Sequence, residues 1–229
     1  MTARERAVFL SRGRPVSPPL LCPLVVTQAA EIGAVPVEDF LHDPTKLANG
    51  LQALCEAMEL EAISTWDGNP TILEDQGLAE ASVEATRRLV ATVPEAAVAA
   101  ALPGPSGGDD LLPLIRSFLD AGAHLVLLIE RDQITDPERW RSSVTTITNV
   151  TRFHQAAPVA VLAEGSDARW VPGGTIVAVP DPELSQGLAL PQDPSGWQLP
   201  DDPGPIITTL GPAGGGFSEV MQAVRRLSS

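Results

Sequence analysis

The 229-residue chain carries 15 basic and 29 acidic side chains, a net charge of −14. That balance argues against a broad nucleic-acid or anionic-membrane surface, since both need clustered Lys and Arg. With 44% hydrophobic and 19% charged residues and no tyrosine, the chain reads as globular, and tyrosine-based chemistry is excluded.

The elements alternate along the chain. A short apolar run at residues 16–21 is a candidate first strand. From Pro44, the residues Leu47, Leu51, Leu54, Cys55 and Met58 recur at spacings of three and four and make one apolar helix face, with Asp43 as its N-cap. Strand-length runs follow at residues 61–66 and 97–102. Leu111, Leu112, Leu114, Ile115, Phe118 and Leu119 predict a helix stopped by Gly122. A strand at 124–129 leads to a helix marked by Trp140, Val144, Ile147 and Thr151 and opened by Asp136-Pro137. Runs at 158–163, 175–179, 187–190 and 206–210 precede a last helix from Ser218.

Near-continuous apolar runs between amphipathic helices indicate a parallel sheet covered by helices. Most of the runs lead into polar or glycine-rich sequence, as a (β/α)8 barrel requires for a site built from C-terminal strand ends. A doubly wound open sheet gives a similar pattern. The early strands are spaced as full βα units. After Val179 the intervals shrink and proline accumulates, leaving hardly any room for full crossover helices. The expectation is a TIM-barrel-like fold, distorted and truncated in its last third, with residues 1–229 forming one domain.

Asp67 ends an apolar strand, so its carboxylate is expected in the barrel mouth, where it would accept substrate N–H groups or stabilise a developing cation. The competing reading is an Asp-Gly turn. Residues 211–218 are glycine-rich and lead into a helix, a place where backbone N–H groups of Gly211 and its neighbours could hold an anion; a plain flexible connection is the alternative. Ser106 follows a strand and could line a pocket, but no GxSxG elbow surrounds it. Glu130, Asp132, Glu164 and Asp167 form an acidic rim at neighbouring strand ends, suited to acid–base work or a cation, or simply solvated. Arg12 and Arg14 precede the first strand and could pair with an anionic substrate; ordinary surface arginines look the same.

The histidines are scattered, with His124 read as a packed residue, and no Cys/His zinc spacing occurs. Cys22 and Cys55 read as reduced, buried thiols of a cytoplasmic protein. No apolar stretch approaches the roughly 20 residues that span a bilayer, and the charged start is no signal peptide. A single lysine, Lys46, among many alanines, arginines and prolines points to a GC-rich bacterial source.

In order, these pieces resemble the uroporphyrinogen decarboxylase-like superfamily, the porphyrinogen decarboxylases and the cobalamin- or coenzyme M-linked methyltransferases. Residues 9–16 resemble its opening, a helix, an arginine-containing turn and the first strand; residues 42–46 resemble its Asp-Pro helix start. Residues 61–67 with Glu74 are similar to the strand whose terminal aspartate is central in the decarboxylases. Residues 121–126, 180–184 and 206–211 resemble later landmarks. The departures are a shortened last third, Pro212 where the family has the histidine of a Leu-Gly-His element, Arg12-Gly13-Arg14 in place of a wider arginine pair, and no His-x-Cys zinc motif. The resemblance implies a distorted TIM barrel, Asp67 as catalytic residue, Arg12 and Arg14 on a carboxylate of a tetrapyrrole-like anion, and no cofactor. The missing residues suggest an alternative: a degenerate barrel acting as a binding or partner subunit, whose unfinished apolar surface a second copy or another protein would cover.

Overall fold

A computed structural model describes residues 1–107, 110–181 and 186–227. The sequence landmark at 180–184 and the loop that follows Ser106 therefore lie partly outside the described residues. The strands are β1 (Leu20–Cys22), β2 (Ala62–Asp67), β3 (Ala97–Pro103), β4 (Leu125–Glu130), β5 (Ala157–Leu162), β6 (Ile176–Val179), β7 (Gly187–Leu190) and β8 (Ile206–Thr209). They form one sheet in the order β1-β8-β7-β6-β5-β4-β3-β2, and every paired neighbour runs parallel. The two ends of that order, β1 and β2, lie against one another. The sheet is thus curled into a nearly closed (β/α)8 barrel.

Alternation along the strands separates two faces. Ala97, Ala99 and Ala101, Leu125, Leu127 and Ile129, Val159 and Val161, and Ala178 and Ala189 fill the interior. Small alanines on β3 face bulkier residues on β4 and β5, so side chains fill the barrel, as in a packed core rather than a pore. The outward residues pack under the helices α2 (Val26–Ile32), α3 (Val37–His42), α4 (Pro44–Met58), α5 (Thr71–Glu74), α6 (Gln76–Thr92), α7 (Leu112–Asp120), α8 (Pro137–Phe153) and α9 (Phe217–Leu227). Asp43 caps α4 by accepting from the N–H groups of Thr45 (2.8 Å) and Lys46 (3.1 Å), with Pro44 at its first position.

Among the described residues no α-helix lies between β5 and β8. Short 3-10 turns at Ala168–Trp170 and Pro194–Gly196 stand there instead. Tryptophans help to cover that stretch: Trp197 is buried in the cluster that includes Leu188 and Leu190, and Trp170 packs, partly buried, against the cluster that includes Val179.

The first helix, α1 (Ala3–Ser11), closes the N-terminal end of the barrel. Its Ala3, Ala7 and Leu10 join the interior cluster. Arg4 donates to the carbonyls of Val90 and Val93 just before β3, and Arg6, 2% exposed, donates to Pro18 O and pairs with Glu61. No described helix is long and apolar enough to cross a membrane.

Candidate active site

Strict alternation from the inward residues Ala62 and Ser64 would turn Asp67 away from the interior. A bulge prevents this. Ser64 pairs with Ala99, but Asp67 pairs with Ala101, so β2 spends one extra residue between them. Ser64 Oγ fills the disrupted ladder, donating to Trp66 O (2.5 Å) and accepting from Ala101 N (3.2 Å). Asp67 thereby takes the phase of the inward Ala101, at the C-terminal end of the barrel. The next residue, Gly68, has φ 79°, and a Cβ there would stand 2.6 Å from Ile129 Cγ1. Glycine is needed on both counts.

Asp67 is 8% exposed and accepts from Asn69 N at 3.0 Å. The Asp-Gly turn and the inward carboxylate are thus both present. Burial pushes its pKa above the ordinary carboxylate value; the Asn69 N–H and the charge of Arg131 pull the other way.

Arg131 is a residue the sequence reading passed over. Leu125, Leu127 and Ile129 face inward, and continuing their phase puts Arg131 over the mouth, where its charge reaches Asp67. Arg131 extends from β4 towards β8, on the opposite side of the barrel. A Cβ on Gly211 would lie 3.7 Å from Arg131 Nε and 2.5 Å from Gln192 Nε2. Gly211 is held there through its carbonyl, which accepts from Thr209 Oγ1 (2.6 Å) while that hydroxyl accepts from Leu24 N (3.1 Å). Asp67, Arg131, Gln192 and Gly211 therefore surround one mouth. A cavity of about 490 Å³ opens beside it, lined by Gln192, Ser195, Gly214, Glu219, Gln222 and Arg226 among others.

Other expected residues are elsewhere. Arg12 and Arg14 follow α1 at the N-terminal end, the far side of the barrel. Both are exposed; Arg12 reaches Gln155 just before β5, and Arg14 lies over Phe9. Glu130 has the outward phase. It is 3% exposed, and its Oε1 accepts from the Trp140 indole N–H of α8 and from Ser106 N at 3.3 Å. That buried carboxylate ties β4 to α8 and does not line the mouth. Ser106 contributes its backbone N–H to this brace while its side chain is exposed.

The helix start after Gly211 is already occupied. Phe217 N donates to Glu31 Oε2 (3.0 Å) and Gly216 N to Glu219 Oε2 (3.1 Å). Carboxylates of the chain itself sit where an external anion would bind. Of the acidic rim, Asp167 caps a 3-10 turn and pairs with Arg169. Among the described residues no three His, Cys, Asp or Glu side chains gather to hold a metal ion. His124 is half-buried and accepts from Val98 N (3.1 Å) at the start of β4.

No protein-family model matches the chain, and no curated protein matches it in sequence. Solved structures do match. The homocysteine methyltransferase MmuM from Escherichia coli, in its apo form, is 13% identical, with 91% of this chain and 95% of that one covered and a TM-score of 0.54. The tryptophan synthase alpha chain from Legionella pneumophila is 10% identical, with 100% and 99% covered and a TM-score of 0.53. What is shared is the barrel. At such identity the likeness establishes fold and leaves the substrate to be argued from the site.

Proposed function

We propose that the protein is a barrel enzyme that binds a small anionic substrate at its C-terminal strand ends, with Asp67 as the central group. The observation that carries this reading is a buried carboxylate turned into the mouth by a bulge, beside a cation, at the end of the barrel where such enzymes place their chemistry. On the resemblance to the uroporphyrinogen decarboxylases, the specific form is cofactor-free decarboxylation of a tetrapyrrole-like acid. Asp67 would accept the pyrrole N–H and stabilise the ring cation formed when a ring carbon takes a proton. The bond to the carboxylate carbon of a ring substituent then breaks, CO2 leaves, its bonding electrons neutralise the ring cation, a proton replaces the lost group on that substituent, and the ring carbon gives back the proton it took.

The test is a fluorescence titration with uroporphyrin on the wild type and Asp67→Ala. Saturable binding weakened about tenfold or more by the substitution supports the reading. Equal binding by both, or none by either, removes it. A second reading, a partner-binding barrel, rests on one feature: cavities of about 770 and 760 Å³ adjoin at the N-terminal end, walled by Pro18, Pro19, Leu199, Pro200, Pro203 and Pro205. A protein or a second copy seated there, with no turnover by the isolated chain, favours it.

A further inference from the structure

We infer that the protein pairs with a second copy of itself through the N-terminal ends of the two barrels, Phe153 of each copy entering the proline-walled groove of the other. The inference deepens the partner-binding reading above, rests on its choice of the N-terminal end, and makes no use of the mouth.

A knob and a groove share this end. Helix α8 returns the chain to the start of β5, and its last residue, Phe153, is 85% exposed. A lone bare apolar side chain needs no explanation, but arginines gather at this one. Arg152 donates from Nε to Ser11 O at 2.8 Å, and Arg12 donates to Gln155 Oε1 at 3.4 Å. The groove of about 770 Å³ has an apolar floor of Leu21, Met58, Ile207 and Leu227, and carries Glu59, Glu61 and Asp201 against Arg225. An aromatic ring among arginines has the composition of an interface anchor, and an apolar pocket edged by carboxylates is its complement. Among the described residues Arg12, Arg152, Glu59 and Asp201 have no ion pair within the chain. Glu61 is held by Arg6, and the one acid on the knob side, Asp120, lies 3.9 Å from His154. Arg14 stands in the adjoining cavity with Asp201 and Asp202.

The placement of knob and groove selects the occupant. Phe153 lies on the β4–β5 side, whereas Leu21 and Ile207 belong to β1 and β8. In the order β1-β8-β7-β6-β5-β4-β3-β2, with its two ends in contact, those sides are half a turn apart. Two barrels set end to end, about a two-fold axis at right angles to the line from knob to groove, bring each knob over the other's groove. Such a contact is isologous and closes at two copies. It sets Arg12 and Arg152 against Glu59 and Asp201 twice. A partner of single-sign charge would match one half of this face and be repelled by the other.

The experiment is sedimentation equilibrium of the full chain and of variants at exposed positions, each checked for an unchanged melt. The wild type should form a dimer in the micromolar range that weakens with added salt. Phe153→Ser should weaken it about tenfold or more, and so should Arg12→Glu or Asp201→Arg. The two reversals in one chain should recover most of that loss, because each copy then carries both exchanged partners. Mixing Phe153→Cys with Leu199→Cys under mild oxidation should give a disulfide-linked dimer, the native Cys22 and Cys55 being buried. Neither variant alone should link, since Phe153 meets a groove and not another Phe153. A chain that stays monomeric into the high micromolar range, a dimer indifferent to Phe153→Ser, reversals whose losses simply add, or a disulfide formed by Phe153→Cys alone overturns the inference. A monomer that binds a different protein, and loses it in Leu199→Glu, would remove the inference and keep the partner-binding reading. A Phe153-dependent dimer whose isolated chain turns over substrate would keep the inference and remove that reading.

Discussion

Replacing Trp140 by Phe tests whether Glu130 braces the fold or serves the ligand. Trp140 is 2% exposed and gives its indole N–H to Glu130 Oε1. Without it the buried carboxylate keeps one protein donor of those two, Ser106 N at 3.3 Å. A hydrogen bond to a charged group contributes about 1.5–3 kcal/mol, and the smaller ring leaves unfilled volume that costs more. A loss of about 3 kcal/mol is expected, which for a chain of this size lowers Tm by about 6–12 °C. Glu130→Gln should cost less, about 1–2 kcal/mol, because the amide oxygen can still accept while its new NH2 group lacks a buried partner. The assay is thermal and urea unfolding of the wild type, both single variants and the double variant. The two substitutions should be non-additive by about 1 kcal/mol or more, and uroporphyrin affinity should be unchanged in Glu130→Gln. If Glu130→Gln melted with the wild type but lost the ligand, the brace would be wrong and the strand-end position would have named a binding residue after all.

Three further outcomes follow from the titrating groups. Burial pushes the thiol of Cys22 up to about 12 and that of Cys55 to about 11, so a thiol reagent at pH 8 should label neither in the native chain and both after unfolding; rapid native labelling refutes this. Burial depresses His124 to about 4 from 6.5, so the unfolded chain takes its proton first, and stability should fall as pH drops from 6.5 towards 4 by up to about 3 kcal/mol; His124→Gln should flatten that slope in pH-dependent melts. His42 is held above its usual value by the Glu38 carbonyl and by Asp75, 3.0 Å away, and Asp75 in turn is held below the usual carboxylate value. Their pairing should stabilise the fold between about pH 4 and 6.5, fading as pH rises through the His42 pKa or falls through that of Asp75; an NMR titration placing His42 below 6.5 would contradict it.

How far the sequence carried depended on contrast between faces. Helix α4 was legible because Leu47, Leu51, Leu54 and Met58 are large and Asp43-Pro44 marks its start. Helix α6 was not, although the crossover from β2 to β3 requires it. Its buried face holds Ala81, Ser82, Ala85 and Thr86 between Leu78 and Leu89, and the Thr86 hydroxyl meets Thr65 of β2 at 2.8 Å. Small and hydroxyl residues facing inward erase the apolar stripe. The first strand was placed too early, at 16–21, because Pro18 and Pro19 cannot donate to a ladder; β1 pairs with β8 only over Leu20–Cys22. The shortened last third was legible from spacing, while the part that Trp170 and Trp197 play in covering it was not.

The placement of the arginines was recoverable from direction alone. In a barrel of parallel strands, whatever precedes a strand lies at the N-terminal end and whatever follows it lies at the mouth. Arg12 and Arg14 precede β1, so no rotamer could bring them to a site beside Asp67, which follows five residues of β2. The arginines before the strands do fastening work instead: Arg4 and Arg6 hold α1 across the barrel floor. Arg131 immediately follows β4 and continues the inward phase of Leu125, Leu127 and Ile129. The same alternation turns Glu130 outward to Trp140. One rule, strand direction followed by strand phase, therefore selects Arg131 and rejects Arg12, Arg14 and Glu130. Asp67 alone escapes it, because its inward phase depends on a bulge that nothing in the residues 61–67 announces.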